Sequence, residues 1–235
     1  MKNLGKVVLH IPAREGSKRV PRKNIRLMAG SPMISYVIKA ALMSGVTDNI
    51  YVNTDSEEII DYVNREYSQL NIYKRNFFLA SDTASSDQFN MDIINTLNPD
   101  TLIMINPVCP LIESTDIANA VLEYQNSDCD TLITCNETQM QTFCDGLPVN
   151  IRVNEQLCPS QDNKKVKILN WAITIWDARK FKKRFDELGY SVMGDVRLLH
   201  PINHLRSFKV SEEMDFQACQ ALIISNKRRC LILPK

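Results

Sequence analysis

Val7-Val8-Leu9-His10-Ile11-Pro12-Ala13-Arg14-Glu15-Gly16-Ser17-Lys18-Arg19-Val20-Pro21-Arg22-Lys23-Asn24 is the stretch around which the chain is organised. Its apolar start reads as a strand, and the residues after Pro12 gather Arg14, Lys18, Arg19, Arg22 and Lys23 against one acid, Glu15. A helix comes next. Met33, Ile34, Val37, Ile38, Ala41 and Leu42 recur at helical spacing, with Ser31 and Pro32 expected as N-cap and first-turn proline and Gly45 as the stop. Strand, basic loop and helix in this order put the charge at the carboxyl end of a first strand, where an open α/β sheet holds its ligand. A triphosphate-holding loop needs cations to neutralise phosphate oxygens and a backbone able to come close. Arg14 offers a bidentate fork, Lys18 and Lys23 offer point charges, and Gly16 permits the approach. The Gly-x-x-x-x-Gly-Lys-[Ser/Thr] run of the common ATPase and GTPase loops is absent.

Composition narrows the ligand. With 235 residues, 44% hydrophobic and 23% charged, the chain can build one sizeable core or a main domain with a small appendage. A formal net charge of +1 gives no whole-protein field for nucleic acid or an anionic membrane, so a basic site must be local and its ligand a small anion. No leader-type segment precedes Val7, and no window is long enough to span a bilayer. The seven cysteines (Cys109, Cys129, Cys135, Cys144, Cys158, Cys219, Cys230) form an odd set without a Cys-x-x-Cys pair. That pattern argues against a disulfide framework or a thiolate zinc site and points to a reducing, cytoplasmic location. Cys109 and Cys135 adjoin apolar runs and read as small core residues.

Onward from Gly45 the rhythm of the first unit repeats. Ile50 to Asp55 is a strand, Ser56 starts a helix to about Tyr67, and Leu70 to Tyr73 is a short strand. Ser81 to Ser86 is a polar turn before a helix holding Met91, Ile93, Ile94 and Leu97, which Pro99 stops. Thr101 to Asn106 is a continuous apolar run, expected as a central parallel strand buried on both faces. A Ser114-capped helix runs to about Gln125, and Thr131 to Cys135 is another buried strand. The polar stretch 136–166, with Gly146, Pro148 and Pro159, breaks the rhythm and reads as a hairpin-like excursion. Lys167 to Trp176 returns to the core, followed by a basic amphipathic helix with Phe181, Phe185 and Leu188, a late strand from Val196 to Pro201, and a last helix capped by Ser211. The alternation predicts an α/β fold with a doubly wound, mostly parallel sheet, residues 1–235 forming one domain.

Pro12-Ala13-Arg14-x-Gly16-Ser17-Lys18-x-x-Pro21-x-Lys23-Asn24 with Gly30-x-Pro32-Met33-Ile34 resembles the signature of the acylneuraminate and 3-deoxy-manno-octulosonate cytidylyltransferases. Asn53 to Ile59, Leu79 to Ser86 with Arg75 ahead of it, Asn106-Pro107-x-x-Pro110-Leu111 and Asn170-x-Ala172-Ile173 come after it in family order, so the likeness covers nearly the whole chain. It implies a Rossmann-like nucleotidyltransferase fold and transfer of CMP from CTP to an acidic sugar, with pyrophosphate released. On the resemblance, Arg14, Ser17, Lys18 and Lys23 hold the triphosphate, with the three cations catalytic. Asn24, Arg75 and Ser86 read cytosine and ribose, Asn106 and Asn170 face the acceptor, Asp215 binds Mg²⁺, and 136–166 forms a homodimer contact.

The departures are as informative. The family's first two metal-binding carboxylates are replaced here by Lys209 and Ser211, leaving Asp215. Three readings stay open: CTP with Glu212, Glu213 or Asp215 carries the ion, Lys209 partly replaces it, or the protein is an impaired CTP-binding or scaffold relative. The usual glycine after Asn170 is Trp171, and Val108-Cys109-Pro110-Leu111-Ile112 replaces the usual run after Asn106. The indole in place of glycine must change the pocket or point away from it, which indicates a smaller or differently shaped acceptor, with a phosphonate as one alternative. The excursion lacks the basic and proline pattern expected of a carboxylate-binding one.

Overall fold

The computed structural model describes residues 1–232, with side chains to residue 226, so Cys230 lies outside the described side chains. The elements from the amino terminus are β1 (Val7–Pro12), β2 (Leu27–Met28), β3 (Ser31–Pro32), α1 (Met33–Ser44), β4 (Ile50–Thr54), α2 (Glu57–Glu66) and β5 (Asn71–Lys74). Then come α3 (Ser86–Leu97), β6 (Thr101–Ile105), α4 (Ser114–Gln125), β7 (Thr131–Thr138), β8 (Phe143–Cys144) and β9 (Leu147–Pro148). The last are β10 (Val166–Asp177), α5 (Ala178–Leu188), β11 (Arg197–Pro201) and α6 (Glu213–Ile232).

Seven strands make one sheet in the order β11-β7-β10-β6-β1-β4-β5. β10 alone runs against its neighbours, pairing antiparallel with β6 and β7. All five residues of β6 are buried, as its unbroken apolar run requires. Its side chains alternate between two cores. Ile103 and Ile105 join α1, α2 and α4 through Val37, Ile59 and Ile117, while Leu102 and Met104 join α3 and α5 through Met91 and Phe181. A third cluster packs α6, by Phe216, Cys219 and Ile223, on Val20, Met28 and Met33 of the basic segment.

Three helix starts differ from the sequence expectation. Ser31 does not cap α1: Ser31 and Pro32 pair with β2, and the first amides of α1 donate to backbone carbonyls, Met33 N–H to Arg26 (3.0 Å) and Ile34 N–H to Asn24 (2.9 Å). α4 is opened by Glu113 in a reciprocal box with Asp116 rather than by Ser114. Before α6, the Asp215 carboxylate reaches back to accept the amides of Ser211 (2.8 Å) and Glu212 (3.0 Å), a cap that Ser211 was expected to supply.

The excursion begins as a two-stranded ribbon, where the ends of β7 and β10 pair Thr138 with Val166 and Glu137 with Lys167. Beyond it β8 and β9 form a small hairpin. Cys109 and Cys135 are fully buried, and burial pushes the Cys109 thiol up to about 12, as suits a core residue. No helix among the described residues is long and apolar enough to cross a membrane.

Gly194 has φ +60°, and the space a Cβ would fill is taken by the side chains of Asp130 and Thr131. The Asp130 carboxylate meanwhile accepts the amides of Asp195 (3.2 Å) and Val196 (3.0 Å), which sets the start of β11. Gly194→Ala should therefore cost roughly 2–4 kcal/mol, since backbone strain and a clash with a capping carboxylate add. A urea-unfolding midpoint equal to that of the parent would contradict this.

Candidate functional site

A cavity of about 730 Å³ opens over the carboxyl ends of β1 and β6, at the point where the strand order reverses. The basic segment forms one wall, through Arg14, Gly16, Ser17, Lys18, Arg19, Lys23 and Asn24. Arg75, Ser86 and Phe89 form a second side, and Asn106, Val108 and Trp171 a third.

Arg14, Lys18 and Lys23 on the first wall are tethered from outside the loop. Arg14 ion-pairs with Asp82 (2.9 Å) and donates to the Ala80 carbonyl (3.2 Å), and Lys18 pairs with the other oxygen of Asp82. Lys18 first, then Arg14, hold the exposed Asp82 carboxyl below the usual carboxylate range. Lys23 Nζ donates to the Val210 carbonyl (3.1 Å), and burial, aided by Arg19, Lys209 and Arg14, lowers its pKa below the usual lysine range. Asn24 Nδ2 donates to the Arg14 carbonyl (3.2 Å), while its buried Oδ1 has no protein partner among the described residues. The loop is thus folded by side-chain and backbone ties, and the helix after it, α1, spends its first amides on loop carbonyls instead of on a ligand.

Arg75 is buried, and its guanidinium lies over the Phe89 ring at 4.8 Å. Nε and Nη2 donate to Asn53 at 2.7 and 3.0 Å, which leaves Nη1 without a hydrogen-bond partner among the described residues. Burial lowers its pKa to about 10, so it stays cationic at neutral pH. Ser86 is the first residue of α3, set in place by the Ser85–Gln88 capping box.

On the third side Asn106 donates its amide to the Ala172 carbonyl (2.9 Å), and its Oδ1 accepts the Val108 amide (3.3 Å). Asn170 does not line the cavity; it is buried and its side chain bonds to Thr134, Ala172 and Asn136. The neighbouring Trp171 takes the place at the wall. Lys209 also lines the cavity, beside Lys23.

Asp215 likewise lies outside the cavity wall, its carboxylate engaged as the cap of α6. Glu213 makes a bidentate pair with Arg26 at 2.6 and 2.8 Å, and Glu212 is exposed. No group of three or more His, Cys, Asp or Glu among the described residues converges on a metal-sized site. The donor set therefore does not fit a magnesium ion held by the protein's own carboxylates.

Sequence reasoning gave no site role to Asp82 or Phe89. Asp82 was visible only as the acid inside the polar turn, and nothing in spacing marks Phe89, whose role depends on Arg75 folding across it.

A cytidylyltransferase family model matches residues 8–195. A CMP-N,N'-diacetyllegionaminic acid synthase of Legionella pneumophila is 36% identical over 121 residues, covering 49% of this chain and 52% of that one. A pseudaminic acid cytidylyltransferase of Campylobacter jejuni is 40% identical over 109 residues, covering 46% of each. The chain thus aligns with about half the length of these two curated relatives. Post-translational flagellin modification protein B of Campylobacter coli is 30% identical over 232 residues, covering 94% and 96%. Among solved structures, the CTP complex of a CMP:2-keto-3-deoxy-manno-octonic acid synthetase shares the fold, with a TM-score of 0.71 at 15% identity, covering 94% of this chain and 99% of that one.

Asp82 occupies two cations that an incoming anion would use. Removing its charge in Asp82→Asn should tighten pyrophosphate binding roughly two- to fivefold, the range expected of exposed ion pairs. Calorimetry measures it, and unchanged or weaker binding would refute a competing carboxylate.

Proposed function

Since the chain belongs to the cytidylyltransferase family, we propose that it transfers CMP from CTP to a hydroxyl of a small acidic sugar. The observation that carries this reading is the cavity itself. A wall with Arg14, Lys18 and Lys23 stands on one side, Arg75 and Ser86 on a second, and Asn106 on a third. A nucleoside triphosphate lying across these sides sets its phosphates on the cations and its base toward Asn24 and Arg75. Ser17 adds a hydroxyl for a phosphate oxygen. The acceptor oxygen attacks the α-phosphorus, the bond from that phosphorus to the bridging oxygen of the β-phosphate breaks, and pyrophosphate leaves while the hydroxyl proton passes to water. Catalysis is then mostly alignment and neutralisation of the charge gathering on pyrophosphate. Asn170 acts one step back, by positioning the strand segment that meets the acceptor.

The Mg²⁺ dependence that the resemblance implies would have to rest on the nucleotide's own phosphates, because Asp215 and Glu213 are engaged elsewhere. Lys209 adds positive charge at a position where the resemblance would place a metal-binding carboxylate. We also propose that the chain forms a homodimer through 136–166, where Met140, Phe143, Leu147, Val149, Val153 and Leu157 are exposed on one excursion. A reducing, cytoplasmic setting accords with the free cysteines among the described residues.

The activity is tested with CTP, Mg²⁺ or Mn²⁺, and a panel of nonulosonic acids, 3-deoxy-manno-octulosonate and phosphonates, with UTP, GTP and ATP as alternative donors. Pyrophosphate should appear with CTP and at least one acid, and Lys23→Ala should lower kcat/KM by roughly 100-fold or more, on the scale of a lost charged contact in the transition state. Binding of CTP without turnover on any acceptor would instead identify a nucleotide-binding relative.

Lys23 also makes a signed pH prediction. Its ammonium is weakened in the free site, and a bound triphosphate restores it, so binding takes up a fraction of a proton that grows as pH rises from neutral toward the lowered pKa. Calorimetry of CTP binding above about pH 8, where the terminal phosphate is already fully ionised, in two buffers of unlike ionisation enthalpy measures that uptake; proton release there would contradict the assignment.

A further inference from the structure

Lys209 belongs to the connection between β11 and α6, and the backbone on either side of it is fastened. The Ser207 carbonyl accepts the Cys109 thiol (3.7 Å), and the Ser207 hydroxyl donates to Asn136 (2.6 Å). Val210 is fully buried. Its amide donates to the Val108 carbonyl (2.8 Å), and its own carbonyl accepts Lys23 Nζ (3.1 Å). The Ser211 amide is taken by the Asp215 carboxylate (2.8 Å). One short segment is thereby bound to the basic wall through Lys23 and to the wall of Asn106 and Val108 through Val210, and Lys209 is the residue it carries into the cavity at their joint.

Lack of a partner sets Lys209 apart. Arg14, Lys18, Arg19, Lys23, Arg75 and Lys209 are the cations lining the cavity. Arg14 and Lys18 share Asp82, Lys23 donates to Val210 and Arg75 to Asn53. Lys209, like Arg19, is exposed and makes no hydrogen bond or ion pair through its side chain among the described residues. Arg19 belongs to the basic loop itself, whereas Lys209 reaches the cavity from outside it. Asp82 is the one acid among the lining residues, while Glu213 and Asp215 are held by Arg26 and by the amides before α6. After burial and Arg19, Lys209 is the next cause that weakens the Lys23 ammonium. Like charges held together over an open cavity are relieved when an anion enters.

The joint decides which anion. In the CMP-transfer reading the triphosphate lies on the basic wall and the acceptor on the side of Asn106, so the phosphorus under attack sits where the two walls meet. Resting on that reading, we infer that Lys209 is a catalytic residue whose ammonium meets a non-bridging oxygen of the α-phosphate. It offsets the charge there as the acceptor oxygen bonds to phosphorus and pyrophosphate departs; no bond forms or breaks at Nζ. The neutralising charge at this point belongs to the chain, not to an ion gripped by its carboxylates.

The experiment compares the wild type with Lys209→Met, which keeps the apolar stem, and Lys209→Arg, which keeps the charge. At saturating CTP and acceptor, Lys209→Met should lose roughly 100-fold in kcat, and Lys209→Arg should recover part of it. CTP affinity by calorimetry should change by no more than about fivefold, the worth of one exposed charge contact, because Arg14, Lys18 and Lys23 remain. Tm should stay within about 2 °C, as for other exposed substitutions. With CTP carrying sulfur at a non-bridging α-position, exchanging Mg²⁺ for the thiophilic Cd²⁺ should restore none of the lost rate. A restoration of roughly tenfold or more would put an ion on that atom in place of Lys209 and overturn the inference. So would a Lys209→Met enzyme with wild-type kcat, whether its CTP binding is weakened or not. A wild type that releases no pyrophosphate with any acceptor removes the CMP-transfer reading, and this one with it.

Discussion

Keeping several like charges in one loop is the constraint on which the rest of the structure depends. Two unit charges about 4 Å apart repel by roughly 1 kcal/mol in water and roughly 4 kcal/mol at an effective dielectric near 20, so a bare run of cations would spread into solvent. Here five of them are drawn to different parts of the chain. Asp82 holds Arg14 and Lys18, Glu58 holds Arg22, the Val210 carbonyl holds Lys23, and Glu213 holds Arg26 against the Phe216 ring. The tethers come from the turn before α3, from α2 and from the segment entering α6, so the basic wall exists only when the sheet has brought those elements together.

That dependence explains why α6 matters to a cavity it barely touches. Its apolar face covers Val20, Met28 and Met33, its first turn supplies Glu213, and the segment before it brings Lys209 and Val210 to the loop. Asp215 closes that segment by capping the helix. A carboxylate that resembles a metal ligand in sequence here fastens a backbone that in turn fastens Lys23.

Features set by local pattern were legible in the sequence. The continuous apolar run Thr101 to Ile105 became a strand buried on both faces, and Arg14, Ser17, Lys18, Lys23, Asn24, Arg75, Ser86 and Asn106 all meet at one cavity. What stayed hidden depends on partners distant in sequence. Ser31 and Ser211 are good cap residues, yet α1 is started by loop carbonyls and α6 by Asp215. Asn170 has the chemistry of a ligand contact, but Thr134 and Asn136 engage it first. The direction of β10 was likewise not readable, because an apolar run looks the same whichever way the strand is laid.

In this fold the carbonyls of Arg26 and Asn24 already occupy the leading N–H groups of α1, so the basic wall of the cavity is made of side chains and loop backbone rather than of helix amides. A grip made of backbone is fixed by the path of the chain, whereas one made of side chains can be revised by single substitutions while the chain path stays where it is. The exchange of carboxylates for Lys209 and Ser211 is a change of that kind. A substitution of that kind alters the charge at the cavity without moving the backbone that frames it.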